Sequence, residues 1–113
     1  MTPNISLLCL SRTAAVTLAA HRFIEADGTY PTAGGPAFGV TRSTAEVGDQ
    51  VPVDVLGTSP VEAGAAIAVN AVLKVDATGR VVTHDGTNTK VGIALTSASA
   101  AGQLVEVWLI PNA

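Results

Sequence analysis

The sequence predicts an all-β chain: a small barrel or sandwich of short antiparallel strands, with at most one short helix and an extended N-terminal arm. Three observations predict it. Turn signals recur at short spacing (Asp27-Gly28, Gly34-Gly35-Pro36, Gly48-Asp49, Gly57, Gly64, Thr78-Gly79, Asp85-Gly86 and Gly102), and strands punctuated this closely mark a sandwich or barrel. Between those signals lie short β-branched runs that alternate with period two. The apolar fraction is 48%, yet only 4% of residues are aromatic. Ala and Val, with some Leu and Ile, must therefore fill thin layers rather than one deep core.

The first element is the apolar stretch ISLLCLSRTAAVTLAA at residues 5–20. A secretory signal needs positive charge before its apolar run, and none lies between Met1 and Cys9. Arg12 interrupts the run, and residues 13–20 are too few to span a bilayer. The stretch is expected to belong to the mature fold or to an ordered arm. The alternative is an exported periplasmic or cell-surface β-domain with this stretch as its signal. Residues 12–20 hold good helix formers, but Thr13, Val16 and Thr17 leave helix and strand both open. Residues 1–20 are accordingly read as an arm or first element and 21–113 as one barrel-like domain.

Further on, VPVDVLG at residues 51–57 reads as a half-buried strand, with Val51, Val53 and Val55 on one face and Pro52, Asp54 and Leu56 on the other. Pro52 lacks an N–H, which places that strand at an edge or beside a bulge. Residues 63–72 read as a turn followed by a strand. Residues 73–76 and 80–84 flank Ala77-Thr78-Gly79 as a tight hairpin, with Gly79 free to take positive φ. Residues 91–96 make another strand. Residues 104–110 make the last, which Pro111 ends: Val105, Val107 and Leu109 point one way, Leu104, Glu106, Trp108 and Ile110 the other. Both faces are largely apolar, so this strand is expected to be central.

At 113 residues the chain fits one domain. Its core is thin, and extra support must come from outside the usual cross-links. Cys9 is the only cysteine, so no internal disulfide forms, and it is read as a buried small hydrophobe. His21 and His84 have no cysteine cluster near them, which excludes a structural zinc site. Oligomerisation remains. Charged residues are 13% of the chain, where soluble proteins carry roughly 25%, so part of the surface is expected to lie against partners. The net charge of −3 gives no footprint for nucleic acid.

No motif carries chemistry. There is no Gly-x-Ser-x-Gly elbow, and Gly34-Gly35-Pro36 with Gly39 lacks the lysine of a phosphate loop. His84-Asp85 stands in a turn where Asp85 and Asn88 serve their own backbone. The carboxylate pairs Glu25 with Asp27, Glu46 with Asp49, and Asp54 with Glu62 stand beside turn glycines or on a polar strand face. Lys74 and Lys90 lack the context of a cofactor-bearing lysine. No enzyme activity, cofactor, metal, membrane or small-molecule substrate is expected.

The succession of segments resembles the small capsid decoration (cement) family of tailed bacteriophages. The matching segments are HRFIEADG at 21–28, Gly39-Val40, GDQVPVDVLG at 48–57, VEAGAAIA at 61–68, LKVDATGRVV at 73–82, VGIAL at 91–95 and ASAAGQLVEV at 98–107. The likeness covers roughly residues 12–110, with a departure at Asn70, where the family often places glycine. It implies a compact β-barrel or sandwich on the outer surface of the phage head, bridging neighbouring major capsid proteins, commonly as a homotrimer, and made in the host cytoplasm. It also implies strand addition by residues 2–10 and apolar anchors at Ile5, Leu7, Leu8, Leu10, Phe38 and Trp108. The plainer alternative is that these side chains fill the monomer's own core; for Trp108, core or subunit packing is expected.

Overall fold

Glycine turns and the β-branched runs between them set the strand ends. The computed structural model describes residues 5–86 and 88–109, and for residues 5–7 the backbone alone. Eight strands form one antiparallel sheet: β1 (Ile5–Thr13), β2 (Phe23–Ile24), β3 (Gly39–Thr41), β4 (Gln50–Glu62), β5 (Val72–Val75), β6 (Val81–Thr83), β7 (Gly92–Ala94) and β8 (Leu104–Leu109). There is no helix among the described residues. The strand order is β2-β3-β4-β8-β7-β5-β6, with β1 joined to β4 off that path. A parallel bridge from Ala63 to Val81, with Gly64 N–H donating to Val81 O at 2.8 Å, brings the far edge back to the end of β4. The sheet is thereby nearly closed into a barrel.

The β5–β6 hairpin forms as expected, with Leu73 opposite Thr83 and Gly79 at φ 80°. Asn70 takes φ 71°, the left-handed region in which Asn is the best substitute for glycine, so the departure from the family pattern keeps the turn. Residues 63–72 contribute isolated bridges at Ala63 and Ile67 before β5, rather than the strand expected there. The last strand alternates as read: Val105, Val107 and Leu109 are buried while Leu104 and Trp108 are exposed. It is central, between β4 and β7. The expected end of this strand at Ile110 lies outside the described residues.

β4 differs most from expectation. It does not stop at Gly57 but runs for thirteen residues through Gly57 and Pro60, and it lies inside the sheet. β1 flanks one side of it, and β3 and β8 share the other side end to end, since Asp54 pairs with both Cys9 and Val40, and Thr58 with Trp108. Both prolines fit because their missing N–H groups point where no ladder bond is needed. Pro52 O accepts the Arg42 N–H at 3.0 Å beyond the end of β3. Pro60 faces Glu106, whose own N–H goes to Thr96 Oγ1 and whose C=O accepts from Leu95 N–H. A bulge stands between, where Cys9 opposes Asp54 but Leu8 opposes Leu56, so one extra residue of β4 shifts the alternation.

That shift lets one strand serve two cores. Before it, Val51 and Val53 pack with Ala14, Leu18, Ile24 and Ala45. Beyond it, Val61 joins Phe23, Leu73, Val81, Val105 and Val107 inside the barrel. It also corrects the reading of Asp54, which is fully buried instead of lying on a polar face. Its carboxylate accepts the Ser59 hydroxyl at 3.1 Å and stands 3.5 Å from Arg42 Nε.

Candidate interaction surface

The polar groups that the sequence offers as reaction-centre candidates are engaged in turn hydrogen bonds and ion pairs. His84 Nδ1 accepts the Gly86 N–H at 2.9 Å while Nε2 meets Asn88 O, which closes the turn after β6. Asp85 pairs with Lys74 at 2.9 Å. Asp76 accepts the N–H groups of Thr78 and Arg80, and Asp27 accepts the Thr29 hydroxyl and N–H at 2.6 and 3.1 Å. Those two bonds, the hydroxyl first, hold the Asp27 carboxyl below its ordinary value. Glu62 bridges Arg22 and Arg80 at 3.2 and 3.1 Å, tying the start of β2 to the barrel seam. Among the described residues no three His, Cys, Asp or Glu side chains group as metal ligands.

What the surface offers is apolar. β1 is a nine-residue strand whose only ladder partner among the described residues is β4. Leu8, Cys9, Leu10 and Ser11 are exposed in succession, so neither face of the strand is covered there. Cys9 is thus exposed and not the buried hydrophobe expected, because no second layer of described residues lies over β1. A strand residue sends its N–H and C=O to the same side. Pro52 turns its C=O to Arg42, on the far side of β4, and its register partner Ser11 must turn away likewise, toward the outer edge. Cys9, opposite Asp54, does the same. Natural edge strands carry Lys, Pro or bulges to block further pairing. From Ile5 to Ser11 the strand holds neither Lys nor Pro, while its register against β4 shifts at Leu7 and again between Leu8 and Cys9, which leaves the Cys9–Ser11 end as the regular part of the edge.

A second apolar surface covers the outside of the barrel. Cross-strand partners share a face, so Thr58, Trp108, Ile93 and Val72 form a row across β4, β8, β7 and β5. Leu95 and Leu104 adjoin it, exposed to 39% and 40%, and Trp108 is exposed to 51%. Trp108 is therefore not a core residue: the alternation of β8 puts it outside, and no described segment covers it. Where β3 and β8 part along β4 they leave a cleft of about 420 Å³ lined by Phe23, Ala37, Phe38, Leu56, Val91 and Leu109 among others; Leu109 lies on the side of β8 opposite Trp108. Leu8 pairs with the rim residue Leu56 and carries the apolar rim onto β1.

The six anchors expected from the sequence divide accordingly. Leu8 and Leu10 are exposed on β1, at 40% and 36%, and the backbones of Ile5 and Leu7 lie in the same strand, their side chains falling outside the described residues. Phe38 is half-buried, packed against the second core with the Arg12 guanidinium 4.6 Å from its ring centre. Sequence reasoning missed Leu56, which it placed as an ordinary strand residue, and Val91; only the parting of β3 from β8 makes them a cleft.

These features define a class: a small antiparallel barrel that presents a bare strand edge and an uncovered apolar face, as a protein covered by partners does. A family model of phage cement proteins matches residues 8–109, and the chain belongs to that family. It is a structural protein of the phage capsid, and membership does not favour the exported alternative. No curated protein matches. Among solved structures the chain is similar to the head fiber gp8.5 N base of bacteriophage phi29, with 23% identity over 91% of this chain and 93% of that one and a TM-score of 0.74; that likeness shows the fold.

Proposed function

We propose that the protein binds the outer surface of the assembled phage head and cements neighbouring major capsid proteins, standing there as a homotrimer after synthesis in the host cytoplasm. The observation that carries this is β1: a long, apolar strand edge that holds neither Lys nor Pro from Ile5 to Ser11. Strand addition lets main-chain bonds supply affinity while Leu8, Leu10 and their neighbours supply fit. Ile5, Leu7, Phe38 and Trp108 complete the apolar contacts. Decoration works by mass action: a protein that binds the expanded lattice and no other state stabilises that state in proportion to its occupancy.

Deleting residues 1–10 tests the reading. Most of β1 leaves, but its exposed residues contribute little to either core, so the truncated chain is expected to fold. Its binding to expanded capsids, read by co-sedimentation, is expected to fall by at least about a hundredfold as several main-chain bonds and two leucine contacts are lost. Undiminished binding would remove the arm from the mechanism.

A further inference from the structure

The free edge of β1 has a closed end. Cys9 and Ser11 turn their N–H and C=O groups outward, and Thr13, two residues further on, turns the same way. The inward turn of Ala14 confirms the alternation, since its N–H donates to Asp49 O at 2.9 Å and its C=O accepts from Gly48 N–H. At Thr13 the edge is already occupied. A Cβ on Gly28 would stand 2.1 Å from Thr13 O, and the next outward donor, Ala15 N–H, goes to Gly28 O at 3.1 Å. The 25–29 turn thus takes the place of a neighbouring strand from Thr13 onward. An incoming strand has Cys9 and Ser11 to pair with, and beyond Ser11 it meets this turn.

The turn is acidic. Asp27 is exposed and directly precedes Gly28, so its Cα stands within about 8 Å of Thr13 O at the spacing of consecutive Cα atoms. Arg22 and Arg80 pair with Glu62, Arg42 with Asp54 and Lys74 with Asp85. Arg12, the one base in β1, lies over the Phe38 ring and pairs with no acid among the described residues. Asp27 and Glu25 of the same turn therefore meet no cation among the described residues. Negative charge at the closed end of a pairing edge favours positive charge in whatever pairs there. A second copy's β1 does not supply it. Set antiparallel on Cys9 and Ser11, that strand carries a residue from the stretch Ile5–Cys9 past the turn, and this stretch holds no Lys or Arg. We infer that the strand received by β1 is a segment of the shell protein with a Lys or Arg where it passes the 25–29 turn, its backbone on Cys9 and Ser11 and its apolar side chains beside Leu8 and Leu10. The inference rests on the strand addition in the proposed function and names the chemistry of the partner.

Co-sedimentation of the full-length chain with undecorated expanded capsids tests it, at low salt and at 1 M salt. Asp27→Asn keeps a side-chain oxygen to accept the Thr29 N–H and hydroxyl, so the turn is retained while the charge is lost. It is expected to weaken binding about threefold at low salt, and Asp27→Lys about tenfold or more. Both losses are expected to shrink at 1 M salt, where screening acts within about 3 Å. Glu46→Gln is the control. It removes the same charge from an exposed position in a turn on the β4 side of β1, where Gly48 and Asp49 bond to Ala14, and it is expected to bind as the wild type does. A thermal melt by circular dichroism verifies the fold of each variant, and Asp27→Asn carries the test if Asp27→Lys unfolds. Asp27 variants that bind like Glu46→Gln overturn the inference, and so does a loss that is the same at both salt concentrations. Weakened self-association with unchanged capsid binding assigns the edge to a second copy and overturns it too. Strand addition itself is judged separately by Ser11→Pro, which blocks the edge and leaves Asp27 in place.

Discussion

Replacing Ser11 with proline is expected to cut capsid binding by about tenfold or more while leaving the monomer folded. The register makes the effect specific. Ser11 sits opposite Pro52, whose carbonyl serves Arg42 on the other side of β4, so the Ser11 N–H belongs to the free edge. Proline there deletes one donor and sets its ring where an incoming strand would lie, and each lost main-chain bond is worth about 0.5–1.5 kcal/mol before the steric term. The β1–β4 ladder does not use that N–H, so the melting midpoint should move by no more than a few degrees. Leu10→Pro is the contrasting variant. Leu10 opposes Val53 and turns its N–H inward, so proline there should weaken the fold itself. If Ser11→Pro binds heads as the wild type does, β1 does not add a strand, and the exposed Leu8 and Leu10 side chains must act as anchors instead.

On the proposed reading the protein would hold the shell beneath it and, as a trimer, its own copies. The described surface has two apolar regions, the edge of β1 and the outer face around Trp108. With charges at 13% of the chain, neither region is guarded by the ionic groups that keep soluble monomers apart. That scarcity of charge is legible in the amino-acid composition alone, and by itself it points to permanent partners.

Local pattern sets the parts of the fold that local physics controls. The β5–β6 hairpin follows from alternating residues around Gly79, and the burial of Val105, Val107 and Leu109 follows from period two. β4 is only half legible in the sequence, because Gly57 and Pro60 normally end strands. Here Gly57 takes φ 104° beside a bulge, and Pro60 faces a residue that asks nothing of its N–H. Neither circumstance can be read without knowing the neighbours of β4. Asp54 departs from its expected place for the same reason: one bulged residue turns a polar-face position into a buried one. Cys9 departs in the opposite direction, since an apolar strand is normally covered and this one is not. The cleft is invisible in the sequence, as it is made by the divergence of two strands far apart along the chain. Period two puts Trp108 on the correct strand face, but whether that face is bare depends on the whole topology.

The base of β1 supplies the largest expected loss of stability from a single added methyl group. Gly28 has φ 85°, and a Cβ there would lie 2.1 Å from Thr13 O and 3.0 Å from Ala15 N. Backbone atoms cannot swing aside as a flexible side chain does, and Gly28 O also accepts the Ala15 N–H at 3.1 Å. Gly28→Ala therefore meets both a left-handed penalty of about 1–2 kcal/mol and a collision that must shift the exit of β1. A total near 3 kcal/mol is expected, lowering the melting midpoint by about 10 °C or more. Gly48 provides the control, because its φ is 91° and nothing lies within 4 Å of its Cβ position. Gly48→Ala should show the backbone penalty alone, about 1–2 kcal/mol. The difference between the two melts measures how tightly the 25–29 turn clamps the end of β1. Since Thr13 closes that strand, capsid binding by Gly28→Ala should fall at temperatures where the chain is still folded. Equal melts for the two variants would mean that the clamp is absent and that β1 is held by its β4 ladder alone.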